Sequence, residues 1–127
     1  MKHKTTDLDF LFFKQQCEFW RKALGLHSWK IYYKHESCQD NLADCATNYT
    51  GRNATIRLNT NWNMKPEKDE LYQTAIHEIL EVLLSGLFGQ ANSRVWDKEE
   101  YEREHHAVIR TLEEVLSKMM NPTDRQK

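Results

Sequence analysis

The apolar residues of this chain change their spacing twice. Phe10, Phe13, Cys17, Trp20 and Leu24 recur every three or four positions. At Trp29, Ile31 and Tyr33, and again at Ala54, Ile56 and Leu58, apolar residues recur every second position, and from Tyr72 onward every third or fourth again. A period near 3.6 lines one face of a helix, and a period of 2 lines one face of a strand. This order predicts an α+β fold: an N-terminal helix, a three-stranded mostly antiparallel sheet, then two helices, one of them packed on the sheet.

Local signals sharpen the elements. Thr6 or Asp7 can cap the first helix, and Gly25 can end it in a left-handed turn. Trp29, Ile31 and Tyr33 alternate with Lys30, Tyr32 and Lys34 as in a half-buried strand. Two further strands are expected at residues 43–49 and 54–59, joined by a turn at Thr50-Gly51-Arg52-Asn53. Residues 59–63 read as a polar break. Pro66 opens the second helix, whose acidic first turn suits the positive end of the dipole. Its expected apolar stripe is Tyr72, Ile76, Ile79, Leu80, Leu83 and Leu87. Residues 85–96, with Gly86, Gly89, Asn92 and Ser93, read as a loop. Asp97 and Glu100 resemble a capping box for a last helix, which Pro122 closes. That helix is expected to bury Tyr101, His105, Val108, Leu112, Val115 and Met119.

With 127 residues, one domain is expected over 1–127, its ordered core spanning about 7–120. Hydrophobic residues make up 39% and charged residues 29%, which suits a globular chain. No apolar run approaches the roughly 20 residues of a membrane span. The first residues lack the apolar core of a secretory signal, so a cytoplasmic location is expected. Eighteen basic residues against 19 acidic ones leave a net charge of −1. Binding of nucleic acid through phosphate neutralisation is therefore not expected. Cys17, Cys38 and Cys45 fit neither a zinc ribbon nor a redox pair and read as reduced thiols.

The sharpest chemical signal is His77-Glu78-Ile79-Leu80-Glu81, inside the second helix. His77 and Glu81 stand one turn apart on the same side, so both can grip one cation without bending the helix. Glu78 lies about 100° around, within reach of a water on that cation but not of the cation itself. The pattern is HExxH with Glu in place of the second His. A catalytic zinc needs a third protein ligand and an open position. The last helix offers His105 and His106, and its phasing turns His105 inward and His106 about 100° away. The expected set is His77, Glu81 and His105, holding one Zn2+ per chain. Tyr101, one turn before His105, is a candidate to stabilise an oxyanion. The competing reading makes His77 and Glu81 an exposed helix pair and His105 a core histidine.

Several segments resemble small phage- and prophage-encoded zinc metallopeptidases, relatives of the SprT-like and zincin proteins. Trp20 with Leu24-Gly25-Leu26 and Trp29-Lys30-Ile31 resembles the start of that family. Residues 52–58 resemble the strand above its metal helix, residues 74–84 its HExxH helix, and residues 104–109 the helix that follows. The resemblance covers residues 10–119. It implies a minimal zincin-like domain and a peptidase-like hydrolase in the cytoplasm of a host cell. In such an enzyme zinc polarises the scissile carbonyl, and Glu78 takes a proton from water and passes it to the leaving amine. The substrate would be a peptide or protein, held by strand addition at an edge strand, Ala54–Asn59. The chain departs from the family at Glu81, where His is usual. A carboxylate can ligate zinc but leaves it a weaker Lewis acid. A non-catalytic, metal-stabilised module that binds a protein is the alternative.

Overall fold

In the computed structural model of the chain, residues 3–92 and 95–119 are described. The elements run β1 His3–Lys4, α1 Asp7–Ala23, β2 Lys30–His35, β3 Ala43–Asn48, β4 Asn53–Leu58, β5 Asn61–Trp62, α2 Lys68–Leu83, α3 Ser85–Ala91 and α4 Lys98–Met119. The fold is α+β, with four helices and two small sheets among the described residues.

α1 begins in a full capping box. The Asp9 N–H donates to Thr6 Oγ1 at 3.0 Å, and the Thr6 N–H donates to the Asp9 carboxylate at 2.9 Å. It ends in a Schellman motif: Gly25, at φ +70°, donates to Lys22 O, and Leu26 donates to Arg21 O. Phe13 and Cys17, on its inner face, are fully buried.

The main sheet has the order β2-β4-β3, with β2 parallel to β4 and β3 antiparallel to it. It is therefore mixed rather than mostly antiparallel. The strand expected at the edge, Ala54–Asn59, is the central one. Ala54, Ile56 and Leu58 are all buried, and Asn53, Thr55 and Arg57 on its other face are half-buried. β4 is laddered to β2 on one side and to β3 on the other, so the free edges belong to β2 and β3. Strand addition at residues 54–59 is excluded, because β2 and β3 occupy both sides of β4. The β3–β4 turn is tied by the Gly51 N–H donating to Asn48 Oδ1, and its left-handed residue is Arg52, at φ +53°.

A second, two-stranded sheet pairs β1 with β5. Residues 59–63 are therefore not merely a break. Trp62 is fully buried and its indole N–H donates to Leu42 O at 3.0 Å. Asn59, also buried, donates through Nδ2 to Gln39 O and Asn41 O. Thr5 Oγ1 donates to Asn59 O at 2.7 Å and accepts from His35 Nε2.

α2 buries Leu71, Ala75, Glu78, Ile79 and Val82. This line lies roughly 100° around the helix from the expected one. Tyr72, expected in the stripe, is exposed and meets the edge of Trp20. The reason is close packing of α1: Cys17 Sγ lies 3.9 Å from Ala75 O, an approach that the small Ala75 side permits. Residues 85–91 form α3 rather than a loop, because the Leu84 turn continues directly into a second helical segment. Asp97 caps α4, accepting from the Glu99 and Glu100 N–H groups, while the Glu100 carboxylate meets Gln90 and Arg103. The close expected at Pro122 lies outside the described residues. One apolar cluster unites α1, α2, β4 and Trp62.

Candidate metal centre

α2 places His77, Glu78 and Glu81 along one groove, between itself and the nearby edge strand β3. His77 Nε2 stands 3.6 Å from Glu81 Oε1. Their side chains are 71% and 56% exposed, so they face solvent rather than border the buried line. As an ion pair alone they would contribute little to stability.

Glu78 is different. It is only 4% exposed, and its Oε2 has no hydrogen-bond partner. Burial, reinforced by the nearby charges of Glu81 and Asp44, pushes its carboxyl up to about 7. Asp44 itself is paired with Arg57, its register partner on β4.

Two cavities line the groove. One, of about 340 Å³, lies between Asn41, Leu42 and Ala43 on one wall and Glu70, Thr74, His77 and Glu78 on the other. The second, of about 470 Å³, is bounded by Cys45, Ala46 and Thr47, by Glu81, and by the apolar Leu84 and Phe88. Cys45, read from the sequence only as a reduced thiol, lines this cavity together with Glu81. Burial, with Glu78 and Glu81 nearby, pushes its thiol up to about 12, which keeps it protonated. All three cysteines are free thiols.

α4 does not deliver His105 to this groove as the phasing suggested. His105 is exposed and stacked on Tyr101, ring centroids 6.0 Å apart and planes 9° from parallel. Tyr101 also meets Trp96 at 5.9 Å, so it stands with α4's outer face. The line that faces the body is Glu104, Val108, Thr111 and Val115. Glu104 fixes that rotation. Its carboxylate accepts from Tyr49 Oη and seats against Gly86, where a Cβ would collide with it. Apolar spacing could not reveal this, because the docking residue is charged. His106 is exposed as well.

Among the described residues, no three His, Cys, Asp or Glu side chains gather as a metal-holding group. Two of the three expected donors, His77 and Glu81, fit a divalent ion at adjacent turns of one helix. The third does not join them. No helix among the described residues is long and apolar enough to cross a membrane. Compared with known protein families, curated proteins and solved structures, the chain matches none.

Proposed function

We propose that this protein is a metal-dependent hydrolase of peptide-like substrates, of the zincin-like class. Glu78 is its general base, and His77 and Glu81 are the protein donors for the ion. The observation that carries the reading is Glu78, a buried carboxyl with an unpartnered oxygen lining the cavity that His77 also lines. Such an oxygen is costly unless something enters the cavity to meet it. The chemistry that a divalent ion supplies when bound is Lewis-acid polarisation of a carbonyl. The protein's own groups do the rest. His77 and Glu81 are the residues that would hold the ion. Glu78, poised near neutral pH, accepts a proton from water inside the cavity and returns it to a leaving amine. The outer edge of β3 lies along the same groove and offers backbone groups to an extended chain, the role first expected of Ala54–Asn59.

A second reading, a non-catalytic metal-stabilised module that binds a protein, is favoured by the donor count, since only two donors meet at one place. One set of measurements separates the two. The parent is loaded with Zn2+, dialysed, assayed for bound metal and incubated with a peptide library. The hydrolase reading expects Glu78→Gln to keep metal and lose hydrolysis, and His77→Ala to lose both. His105→Ala is expected to retain metal, because α4 holds that ring away from His77. Metal retention without hydrolysis in the parent supports the module. Hydrolysis undiminished in Glu78→Gln removes Glu78 from the mechanism.

A further inference from the structure

α4 is 22 residues long, yet Val108 is its only buried residue. The line Glu104, Val108, Thr111, Val115 meets the body of the protein. A second line lies about 80° around the helix, at Tyr101, His105, Ile109, Leu112, Leu116 and Met119. All six side chains are exposed, Leu116 at 59% and Met119 at 64%. At 1.5 Å per residue this stripe runs about 27 Å. Its flank beyond, at Glu99, Glu102, His106 and Glu113, is polar. Helices of this length draw most of their stability from burying an apolar face, and an exposed apolar band of several hundred Å² marks an interaction surface.

We propose that the stripe is a self-association face, through which two copies pair by antiparallel packing of α4 about a two-fold axis near Arg110. The order of the stripe points to a second copy as the occupant. An isologous contact must be self-complementary, with residue i meeting j and j meeting i. Outward from a point between Arg110 and Thr111, Ile109 and Leu112 lie at equal distances on either side, then His105 and Leu116, with Tyr101 and Met119 within one residue of matching. Antiparallel pairing thus sets each member of a couple against the other across the axis, apolar on apolar for two of the three. On the polar flank, His106 of each copy falls beside Glu113 of the other. Glu102 meets no carboxylate, because the level opposite it holds Ser117. The face offers on the order of 500 Å² per copy, at the low end of specific interfaces, so the pair is weak and concentration-dependent.

Sedimentation of the full chain from about 5 to about 500 μM tests the pairing. The mass is expected to rise from one chain toward two across that range. Leu112→Glu/Leu116→Glu is expected to stay at one chain throughout with an unchanged circular dichroism spectrum. If that double variant misfolds, Leu116→Lys at the most exposed central position serves instead. Orientation is read by oxidation: Ile109→Cys/Leu112→Cys should cross-link two chains, whereas Leu116→Cys alone, like the parent, should not. A parent that stays monomeric at the highest concentration overturns the proposal and leaves the stripe to a different partner. So does a dimer that survives the charged substitutions. Cross-linking of Leu116→Cys to itself overturns the antiparallel arrangement.

Discussion

Replacing Glu78 by Gln should remove the loss of stability that the metal-free fold suffers as pH rises to neutral and above. The folded protein holds the Glu78 carboxyl near 7, against an ordinary 4.5, chiefly because it is buried. A raised carboxyl pKa means that the folded state keeps its proton where the unfolded chain has lost it. Stability from this group is therefore fully present below pH 4.5 and is lost as pH rises through about 7. At about 1.4 kcal/mol per tenfold change in proton affinity, the loss is roughly 3 kcal/mol by pH 8. Gln carries no charge and does not titrate. Its amide suffers its own burial cost, but that cost is the same at every pH. The diagnostic is thus the slope, not the offset. Urea unfolding of parent and variant, in chelator, at pH 4.5, 6 and 8 should show the variant gaining roughly 3 kcal/mol on the parent from the lowest to the highest pH. For a domain of this length that corresponds to about 10 °C in Tm. A difference that is constant across the range would refute the reasoning, since it would mean that the carboxylate is as well solvated in the fold as outside it.

Three further outcomes are expected. Gly86→Ala puts a Cβ into the Glu104 carboxylate and against Tyr49, and should cost about 1–3 kcal/mol by unfolding, with α4 amides losing protection from hydrogen exchange. Thr6→Ala removes the acceptor for the Asp9 N–H and should cost about 1 kcal/mol in urea, with the same pH profile as the parent. Asn59→Leu strands the carbonyls of Gln39 and Asn41 and should cost about 2–3 kcal/mol, whereas a neutral result would mean that water reaches both.

Much of this fold was legible in the residues, and the parts that were not share a cause. Thr6, Gly25 and Asp97 announced helix ends because capping is local chemistry. Alternation located β2 and β4 because it reports which face is buried. It carries no information about which strand lies beside which, so the central place of β4 could not be read from Ile56 and Leu58. The rotation of α2 was missed because small and polar residues decide it. Ala75 lets α1 approach, and Glu78 is buried although it counts as charged in any pattern. α4 repeats the lesson. Its apolar spacing pointed to Tyr101, His105, Val108, Leu112, Val115 and Met119; Val108 and Val115 do face the body, but Glu104, bonded to Tyr49 over Gly86, turns the helix about 50° and leaves the other four outside. As a result His77 and Glu81 stand side by side on α2, while His105 on α4 is stacked on Tyr101 instead.

The buried line of α2 gives the strongest reason to look for chemistry there. A helix that packs on a core has a simple way to avoid a cost of roughly 3 kcal/mol at neutral pH: an apolar residue at position 78. Total folding stability is only about 5–15 kcal/mol, so the cost is a large fraction. Among the described residues no donor offsets it, because Oε2 of Glu78 meets none. A structural role would come with a partner, as Asp44 has Arg57 and Glu104 has Tyr49. Sites where a local rule is broken without local compensation are where function is expected. Glu78 is such a site, and it opens onto the one groove where a histidine and a second carboxylate already stand 3.6 Å apart.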